Sequence, residues 1–277
     1  MSQEAPKGRP TVGSLFSGIG GFDLGLERAG FEIRWQVEID PYCLRVLERH
    51  WPDVKRYGDI REVDPHELER VTLLAGGFPC QPVSVAGKRL GQDDPRWLWP
   101  EFARFIRALR PSFVLVENVP GLLIRGMGDV LGDLASCGYD AEWQVLPAAA
   151  FGAPHLRERL FLVAYPPSCR DRAKQTLERQ EVGDREEPVG DGADGTMAHA
   201  DSAGLLEPWV FGGKAARSLA ESCGDSRAWW STEPNVGRVA DGVPFRVDRL
   251  RALGNAIVPQ VAEWIGKQIL GAMGWPS

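Results

Sequence analysis

The sequence lacks long hydrophobic runs. No segment of its 277 residues approaches the roughly 18 uninterrupted apolar positions that a membrane-spanning helix needs. The first residues, MSQEAPKGRP, are polar and lack the apolar centre of a signal peptide. We therefore expect a protein that does not span a membrane and that is cytoplasmic.

Cysteine and histidine are both scarce. The five cysteines stand far apart without a CxxC pair, and the four histidines are equally scattered. Disulfide frameworks and structural zinc sites need closely spaced groups of such residues. We therefore expect neither a disulfide framework nor a bound metal.

Positive charge is also in short supply, since 32 Lys+Arg against 38 Asp+Glu leave a net charge of −6. Proteins that bind nucleic acid through its phosphates usually show a basic surface, so composition alone gives no evidence for such binding. The 43% of hydrophobic and 25% of charged residues are ordinary for a globular enzyme. The length suits one large domain, or one domain with a small second one.

From Thr11 to Tyr165, short β-type runs alternate with helical stretches. Strands are predicted for TVGSLF, FEIRWQVEI, VTLLAGG, SFVLVEN, YDAEWQVLPA and RLFLVAY. Helices are predicted for FDLGLERAG, PYCLRVLERH, LWPEFARFIRAL and MGDVLGDLASCG. This βαβα alternation predicts an α/β fold with a doubly wound, mostly parallel sheet.

Residues 166–244 have a different character. They hold 9 Lys+Arg and 14 Asp+Glu, a net of −5, so most of the excess acidity lies there. Their first half lacks apolar periodicity and is predicted to be a loop or disordered. Their second half contains Trp209, Phe211, Trp229 and Trp230, enough aromatic surface for a small fold. The stretch VDRLRALGNAIVPQVAEWIGKQIL then predicts a capped loop followed by an amphipathic helix.

Three turns carry groups that suit a nucleoside. In SLFSGIGGF, Gly18 and Gly20 allow close approach of backbone to a ligand, although they could equally relieve a tight turn. Glu38 follows about twenty residues later and could accept both hydroxyls of a ribose, or be a solvated strand end. Asp59 and Ile60, in GDI, offer a carboxylate and an apolar wall for adenine, or a helix cap. Together they would line the sheet edge where strand order reverses, the usual crevice for such a cofactor.

A thiol and a carboxyl follow at the same edge. A lone cysteine is usually a small core residue, but Pro79 and the long loop after Cys80 make a core position implausible. A partly exposed Cys80 at a strand–loop junction would favour the nucleophilic thiolate. Glu117 ends the neighbouring apolar strand, where burial would raise its pKa and suit it to proton donation. Alternatively, Glu117 caps the next loop.

Two arginines enter the last strand of this region. Arg157 and Arg159 stand at alternate positions, so both are expected to face the same side. Such a pair can fix an anion or a carbonyl oxygen by forked hydrogen bonds, or simply add surface charge.

These motifs together resemble a known family. FSGIGGFDLGLERAGF, VEIDP, GDI, GGFPCQPVSVAGKRLG, ENVPG, RERLF and LGNAIVPQVAEWIG have the order and spacing of the DNA (cytosine-5) methyltransferases. The resemblance covers roughly residues 11–165 and 245–270, and the pairing of PCQ with ENV is its most specific part. The compact phage or restriction–modification type is the most similar subgroup.

The resemblance implies a catalytic domain of residues 1–165 plus 245–277, with a Rossmann-like, S-adenosylmethionine-dependent methyltransferase sheet. Residues 166–244 would form a small inserted target-recognition domain. It implies that S-adenosylmethionine contacts the residues of the three turns named above (Gly18, Gly20, Glu38, Asp59 and Ile60) and a further set: Phe16, Ile39, Phe78, Pro79 and Asn255.

The resemblance also implies roles in catalysis. Cys80 would add to C6 of a cytosine flipped out of duplex DNA, and Glu117 would hydrogen-bond N3 and the exocyclic amine. Arg159 would bind the cytosine O2, and Arg157 would support the Cys80 loop or the DNA backbone. Residues 82–97 would close over the base, and the side chains expected to reach DNA are Gln81, Ser84, Lys88 and Arg89.

The chain departs from the family pattern at one position. Where the family usually has glutamine, two positions before the first arginine of the pair, this chain has His155.

An acidic recognition region implies either a small DNA-reading core around residues 205–244 or salt-sensitive binding. We expect a monomer that acts on double-stranded DNA, with any cognate restriction endonuclease a separate protein. The alternatives are an RNA cytosine-5 methyltransferase on the same fold and a catalytically inactive DNA-binding relative.

Overall fold

The protein is described here by a computed structural model, which covers residues 8–79, 96–168 and 246–275. Its strands are β1 (Thr11–Leu15), β2 (Glu32–Val37), β3 (Lys55–Tyr57), β4 (Leu73–Gly76), β5 (Phe113–Asn118), β6 (Asp140–Pro147) and β7 (Glu158–Tyr165). Its helices are α1 (Gly21–Ala29), α2 (Pro41–His50), α3 (Trp99–Leu109), α4 (Leu122–Arg125), α5 (Met127–Ser136), α6 (Arg246–Asn255) and α7 (Pro259–Ala272). Short 3₁₀ helices occupy Pro65–Glu67 and Ala148–Phe151.

The strands form one seven-stranded sheet in the order β3-β2-β1-β4-β5-β7-β6. The first five strands pair in parallel, and β7 lies antiparallel between β5 and β6. The predicted mostly parallel α/β sheet is confirmed. Because the chain runs outward from β1 to β3 and then restarts at β4 on the other side of β1, strand order reverses between β1 and β4.

Both faces of the sheet are covered. Side chains alternate along a strand, so Leu115 of β5 packs into one core and Val116 into the other. One core includes α3 and α5, and the other includes α1 and α7. This arrangement explains why the central strands are apolar at nearly every position.

Two predicted helix ends agree with the structure. Gly30 ends α1 in the left-handed region (φ 116°) and donates its N–H to the carbonyls of Leu26 and Glu27. Arg110 ends α3 in the same region (φ 51°), immediately before Pro111. A residue that precedes proline disfavours the helical region, so the chain leaves the helix there.

Three elements differ from the prediction: β3 and the short helix α4 were missed, and α6 was predicted to be a loop. β3 was not predicted because its three polar residues, KRY, pair only with β2 at the sheet edge. The start of the C-terminal stretch was predicted to be a loop but forms helix α6. Among the side chains of α6 that the structure describes, Ala252 alone is buried, so the sequence shows no apolar stripe there. None of the helices in the described ranges has the length and apolar character needed to cross a membrane.

Candidate active site

A cavity of about 330 Å³ opens at the carboxyl ends of the parallel strands, around the point where strand order reverses. It is lined by most of the predicted cofactor residues: Phe16, Gly18, Glu38, Ile39, Asp59, Ile60, Phe78, Pro79 and Asn255. Glu117 and Arg159 line the same cavity. The fold therefore brings together residues that lie up to some 240 positions apart in the sequence.

The turn after β1 forms one wall. Phe16 and Gly18 both have left-handed backbone (φ 52° and 56°), which turns the chain sharply away from the strand. The N–H of Gly18 donates to Oε2 of Glu38 at 2.7 Å. Gly20 does not line the cavity. It is the left-handed N-cap of α1 (φ 83°), and a Cβ there would lie 2.4 Å from the Trp51 ring, so its contribution is to packing.

The Glu38 carboxylate is fixed at the cavity by backbone groups. Besides the Gly18 bond, Oε1 accepts from the N–H groups of Ile39 at 2.9 Å and Asp40 at 2.8 Å. An ionised carboxylate offers about four acceptor positions. At least one therefore remains for a hydroxyl group of a ligand.

Asp59 is held at the cavity edge by Arg61. Nε of Arg61 lies 2.9 and 3.0 Å from the two carboxylate oxygens, and these hydrogen bonds lower the pKa of Asp59. Ile60, next in the chain, is buried, and its carbonyl accepts from Arg104 at 2.7 Å. The turn thus presents a fixed anion beside an apolar surface.

Glu117 is the strongly perturbed acid of the cavity. Burial at the end of β5 raises its pKa from 4.5 to about 7, although the positive charges of Arg159 and Arg157 oppose this. Nε of Arg159 lies 3.1 Å from Oε1 of Glu117. A Cβ on Gly77 would lie 2.5 Å from the other carboxylate oxygen, so only glycine fits beneath it. Such a carboxyl can hold or release a proton near neutral pH.

The neighbouring Asn118 is also fully buried. Its Nδ2 donates to the carbonyl of Phe78 at 3.1 Å, and its Oδ1 accepts from the N–H of Val119. Because Phe78 and Pro79 immediately precede Cys80, this bond ties the end of β5 to the segment that leads to the thiol.

The two arginines make different direct contacts. Arg157 precedes β7 and has a left-handed backbone (φ 37°), so the alternation of an extended strand does not reach it. Its Nη2 donates to the carbonyls of Gly254 at 2.9 Å and Ala256 at 2.6 Å. Arg159, by contrast, faces Glu117. Their hydrogen-bond and ion-pair partners thus differ, although the positive charges of both act to lower the pKa of Glu117.

Several predicted residues lie outside the described part of the chain: Cys80, Gln81, Ser84, Lys88, Arg89 and all of residues 169–245. Another thiol does line the cavity. Burial raises the pKa of Cys43 to about 12, and the nearby carboxylates of Glu38 and Asp40 act in the same direction. Cys43 thus stays a neutral thiol and is unsuited to nucleophilic attack.

The sequence did not indicate some of the cavity residues. Arg251, on α6, forms an ion pair with Asp40, the N-cap of α2. Both line the cavity, as do Ala252, Ala256 and Ile257. The motif LGNAIVP lies in this segment. Only the fold shows that the segment, although it is near the C-terminal end of the sequence, forms part of the cavity wall.

The lining suits a nucleoside-type ligand. Glu38 and Asp59 offer fixed acceptors, while Phe16, Ile60 and Phe78 give apolar surface. The volume falls at the lower end of the roughly 300–1,000 Å³ typical of ligand sites.

The chain is similar to known methyltransferases. A family model described as C-5 cytosine-specific DNA methylase matches residues 11–199. The type II methyltransferase M.NaeI of Lentzea aerocolonigenes is 33% identical over 316 residues, covering 95% of this chain and 75% of that protein. The type II methyltransferase M2.BsuMI of Bacillus subtilis is 31% identical over 300 residues, covering 93% and 75%.

A solved structure shares the fold. A prophage-encoded E. coli protein assigned as a DNA modification methyltransferase superposes with a TM-score of 0.60 at 20% identity. The match covers 96% of this chain and 99% of that one. At this identity the similarity concerns the architecture alone.

Proposed function

The chain belongs to the C-5 cytosine-specific DNA methylase family, and on that premise we propose that it methylates a flipped-out cytosine through a covalent Cys80–C6 intermediate. It is a DNA cytosine-5 methyltransferase of the restriction–modification type. Its family implies S-adenosylmethionine as methyl donor, which supplies an electrophilic methyl group on a sulfonium sulfur.

The donor fits the cavity described above. Glu38, held by three backbone N–H groups, is positioned to accept from ribose hydroxyls. Asp59 can accept from the exocyclic amine of adenine, beside the apolar surface of Ile60. Phe78 and Pro79 would separate this part of the cavity from the thiol.

Cytosine C5 is too weak a nucleophile to take the methyl group unaided. When the Cys80 thiolate adds to C6, the ring becomes an enamine and C5 becomes nucleophilic. After methyl transfer, loss of the C5 proton to a base returns the electron pair to the ring and breaks the bond between C6 and sulfur. The ring regains its aromaticity and the thiolate is released.

The environment of Glu117 is the main observation that supports this proposal. Its pKa of about 7 and its 3.1 Å contact with Arg159 place a neutral proton donor and a cation together. Glu117 would hydrogen-bond the amine and donate to N3 as the thiolate adds, and take that proton back as the thiolate leaves. Arg159 would bind the O2 oxygen of the same ring.

The chemistry requires an extruded base. The reacting atoms of a stacked cytosine cannot be reached from both ring faces, and flipping costs a few kcal/mol. Closure of residues 82–97 over the base would repay part of this cost. Gln81, Ser84, Lys88 and Arg89, in or next to this loop, are proposed to contact DNA. Residues 166–244 are proposed to form the recognition domain.

Transfer of a labelled methyl group tests the activity. The purified chain and labelled S-adenosylmethionine are incubated with duplex DNA and, separately, with tRNA, and the acceptors are digested to nucleosides for chromatography. We expect label in 5-methyl-deoxycytidine from duplex DNA. Label in tRNA alone, or on another base, would contradict the proposal.

A further inference from the structure

Residues 252–257 form a wall of the donor cavity at the junction of α6 and α7. Ala252, Asn255, Ala256 and Ile257 all line it. The segment abuts α1, because a Cβ on Gly21 would lie 2.5 Å from the carbonyl oxygen of Ile257. The position of this segment therefore decides how the cavity is closed beside the turn that carries Gly18.

Arg157 holds the same segment by two hydrogen bonds. Its Nη2 donates to the carbonyls on either side of Asn255, at 2.9 Å to Gly254 and 2.6 Å to Ala256. Gly254 belongs to the last turn of α6, whose carbonyls have no partner within a helix. A cation at a helix C-terminus also interacts favourably with the helix dipole. Arg157 is therefore suited to fix both the end of α6 and the orientation of Asn255.

We propose that Arg157 is a positioning residue for the methyl donor, acting through the segment Gly254–Ala256 rather than on the cytosine or on DNA. This inference rests on the proposed function of the cavity. It separates Arg157 from Arg159, two positions later, which contacts Glu117 directly. The two arginines would then serve opposite ends of one active site, the donor end and the cytosine end.

The test is calorimetric titration of S-adenosylhomocysteine into the DNA-free protein. Arg157→Met keeps an unbranched apolar stem but removes the guanidinium and its donors, and we expect a dissociation constant raised roughly tenfold or more. Arg157→Lys keeps a charge and one donor nitrogen without the planar geometry, so its constant should rise roughly threefold or more. Kinetics are measured about one pH unit below the pKa of Glu117, where its carboxyl is protonated with or without the Arg157 charge. Both variants should raise KM for S-adenosylmethionine there and leave kcat and KM for DNA within about threefold of wild type.

Arg110→Met is the matched control. Arg110 also has a left-handed backbone (φ 51°) and donates to a backbone carbonyl, that of Cys137 at 2.5 Å, outside the cavity. Its loss should lower Tm without changing the affinity for S-adenosylhomocysteine.

The outcomes distinguish the role of Arg157 from the proposed function of the cavity. If wild type and both Arg157 variants bind S-adenosylhomocysteine equally, and kcat or KM for DNA changes instead, the inference is wrong and the proposed function stands. If wild type does not bind the molecule, the proposed cofactor site itself is wrong and the inference falls with it. If Arg157→Met does not fold, the same test is made with Arg157→Lys. Its dissociation constant for S-adenosylhomocysteine and its KM for S-adenosylmethionine, compared with its kcat, then decide whether the inference holds.

Discussion

At the scale of single residues, the Glu117 carboxyl is confined at both of its oxygens, and the chain beside it is tied by Asn118. Arg159 contacts one oxygen at 3.1 Å, and a Cβ on Gly77 would lie 2.5 Å from the other. The next residue, Asn118, donates to Phe78 at 3.1 Å. The carboxyl therefore has little freedom to move.

Gly77→Ala tests this constraint. Gly77 has no positive φ in the structure, so alanine is allowed by the backbone, but its methyl group must displace the carboxyl of Glu117. Displacement of a catalytic group by about 1 Å can cost roughly a hundredfold in rate, and we expect kcat to fall roughly ten- to a hundredfold. Gly128→Ala is the control, since nothing lies within 4 Å of its Cβ position. A folded Gly77→Ala variant with unchanged kcat would be inconsistent with this geometry.

The proton on Glu117 predicts a pH dependence. Burial raises the pKa to about 7, so the donating, neutral form dominates below that pH and is lost above it. Glu117→Gln cannot ionise but leaves Cys80 in place. The ratio of wild-type to Glu117→Gln kcat/KM should therefore be constant below about pH 7 and fall roughly tenfold per unit above it. A ratio that does not change between pH 6 and 9 would show that Glu117 is not the donor.

Much of the site could be predicted at this scale. The glycine turn follows a predicted strand, and Glu38 and Glu117 lie at the ends of two others, so parallel pairing places them at one edge of the sheet. Asp59 was predicted from the GDI motif, because the strand before it, β3, was not predicted. Gly20 and Arg157 could not be predicted this way. Their actual contacts depend on left-handed backbone and on partners, Trp51 and the segment around Asn255, that are distant in the sequence.

At the scale of elements, α1 and α7 pack closely enough to require glycine. A Cβ on Gly25 of α1 would lie 2.3 Å from the carbonyl of Pro259 and 2.6 Å from Cβ of Ala262. Gly266 of α7 meets Cβ of Ala29 in the same way, at 2.8 Å. Two small residues thus bring the first and last helices of the fold together and position the segment before α7.

Gly25→Ala is expected to destabilise the protein although alanine is the better helix former. Overpacking of this kind costs about 1–3 kcal/mol, more than the roughly 0.5–1 kcal/mol gained from helix propensity. Gly271→Ala, in α7 with nothing within 4 Å of its Cβ position, should be neutral or stabilising. Urea denaturation of both variants measures the difference, and equal free energies of unfolding would refute the close packing.

The strands and helices that were predicted correctly have buried residues at regular intervals in the sequence. The strands of the two-sided core and helices α1, α2, α3 and α5 all carry an apolar pattern that the sequence shows. β3 and α6 do not, because β3 is a short polar edge strand and α6 buries little. Tertiary contacts decide such elements: β3 pairs with β2, and Arg251 of α6 pairs with Asp40.

At the scale of the whole molecule, both ends of the chain build one cavity. β1, β2, β4 and β5 supply its floor, and the segment between α6 and α7 closes it. The order of motifs in the sequence therefore differs from their order in space. A resemblance of motifs could predict the fold class and the activity, but the contact between Arg157 and the C-terminal segment required the structure.

The acidic recognition region stays a prediction, since residues 169–245 lie outside the described ranges. Their net charge of −5 is unfavourable for binding to phosphates. The described cavity residues include three arginines, Arg61, Arg159 and Arg251, which reduce the local negative charge. We expect the choice of cytosine to depend on this region.

Covalent trapping tests the central claim most directly. Genomic DNA methylated by the chain is first sequenced after bisulfite treatment to find the target, and a duplex with 5-fluorocytosine at that position is then prepared. Fluorine at C5 blocks the loss of a proton, so the thiolate cannot leave. With S-adenosylmethionine present, we expect a stable protein–DNA adduct from wild type and from Cys137→Ala, whose buried thiol lies outside the cavity, and none from Cys80→Ala. An adduct that persists in Cys80→Ala, or wild-type protein that methylates DNA without forming one, would contradict the account.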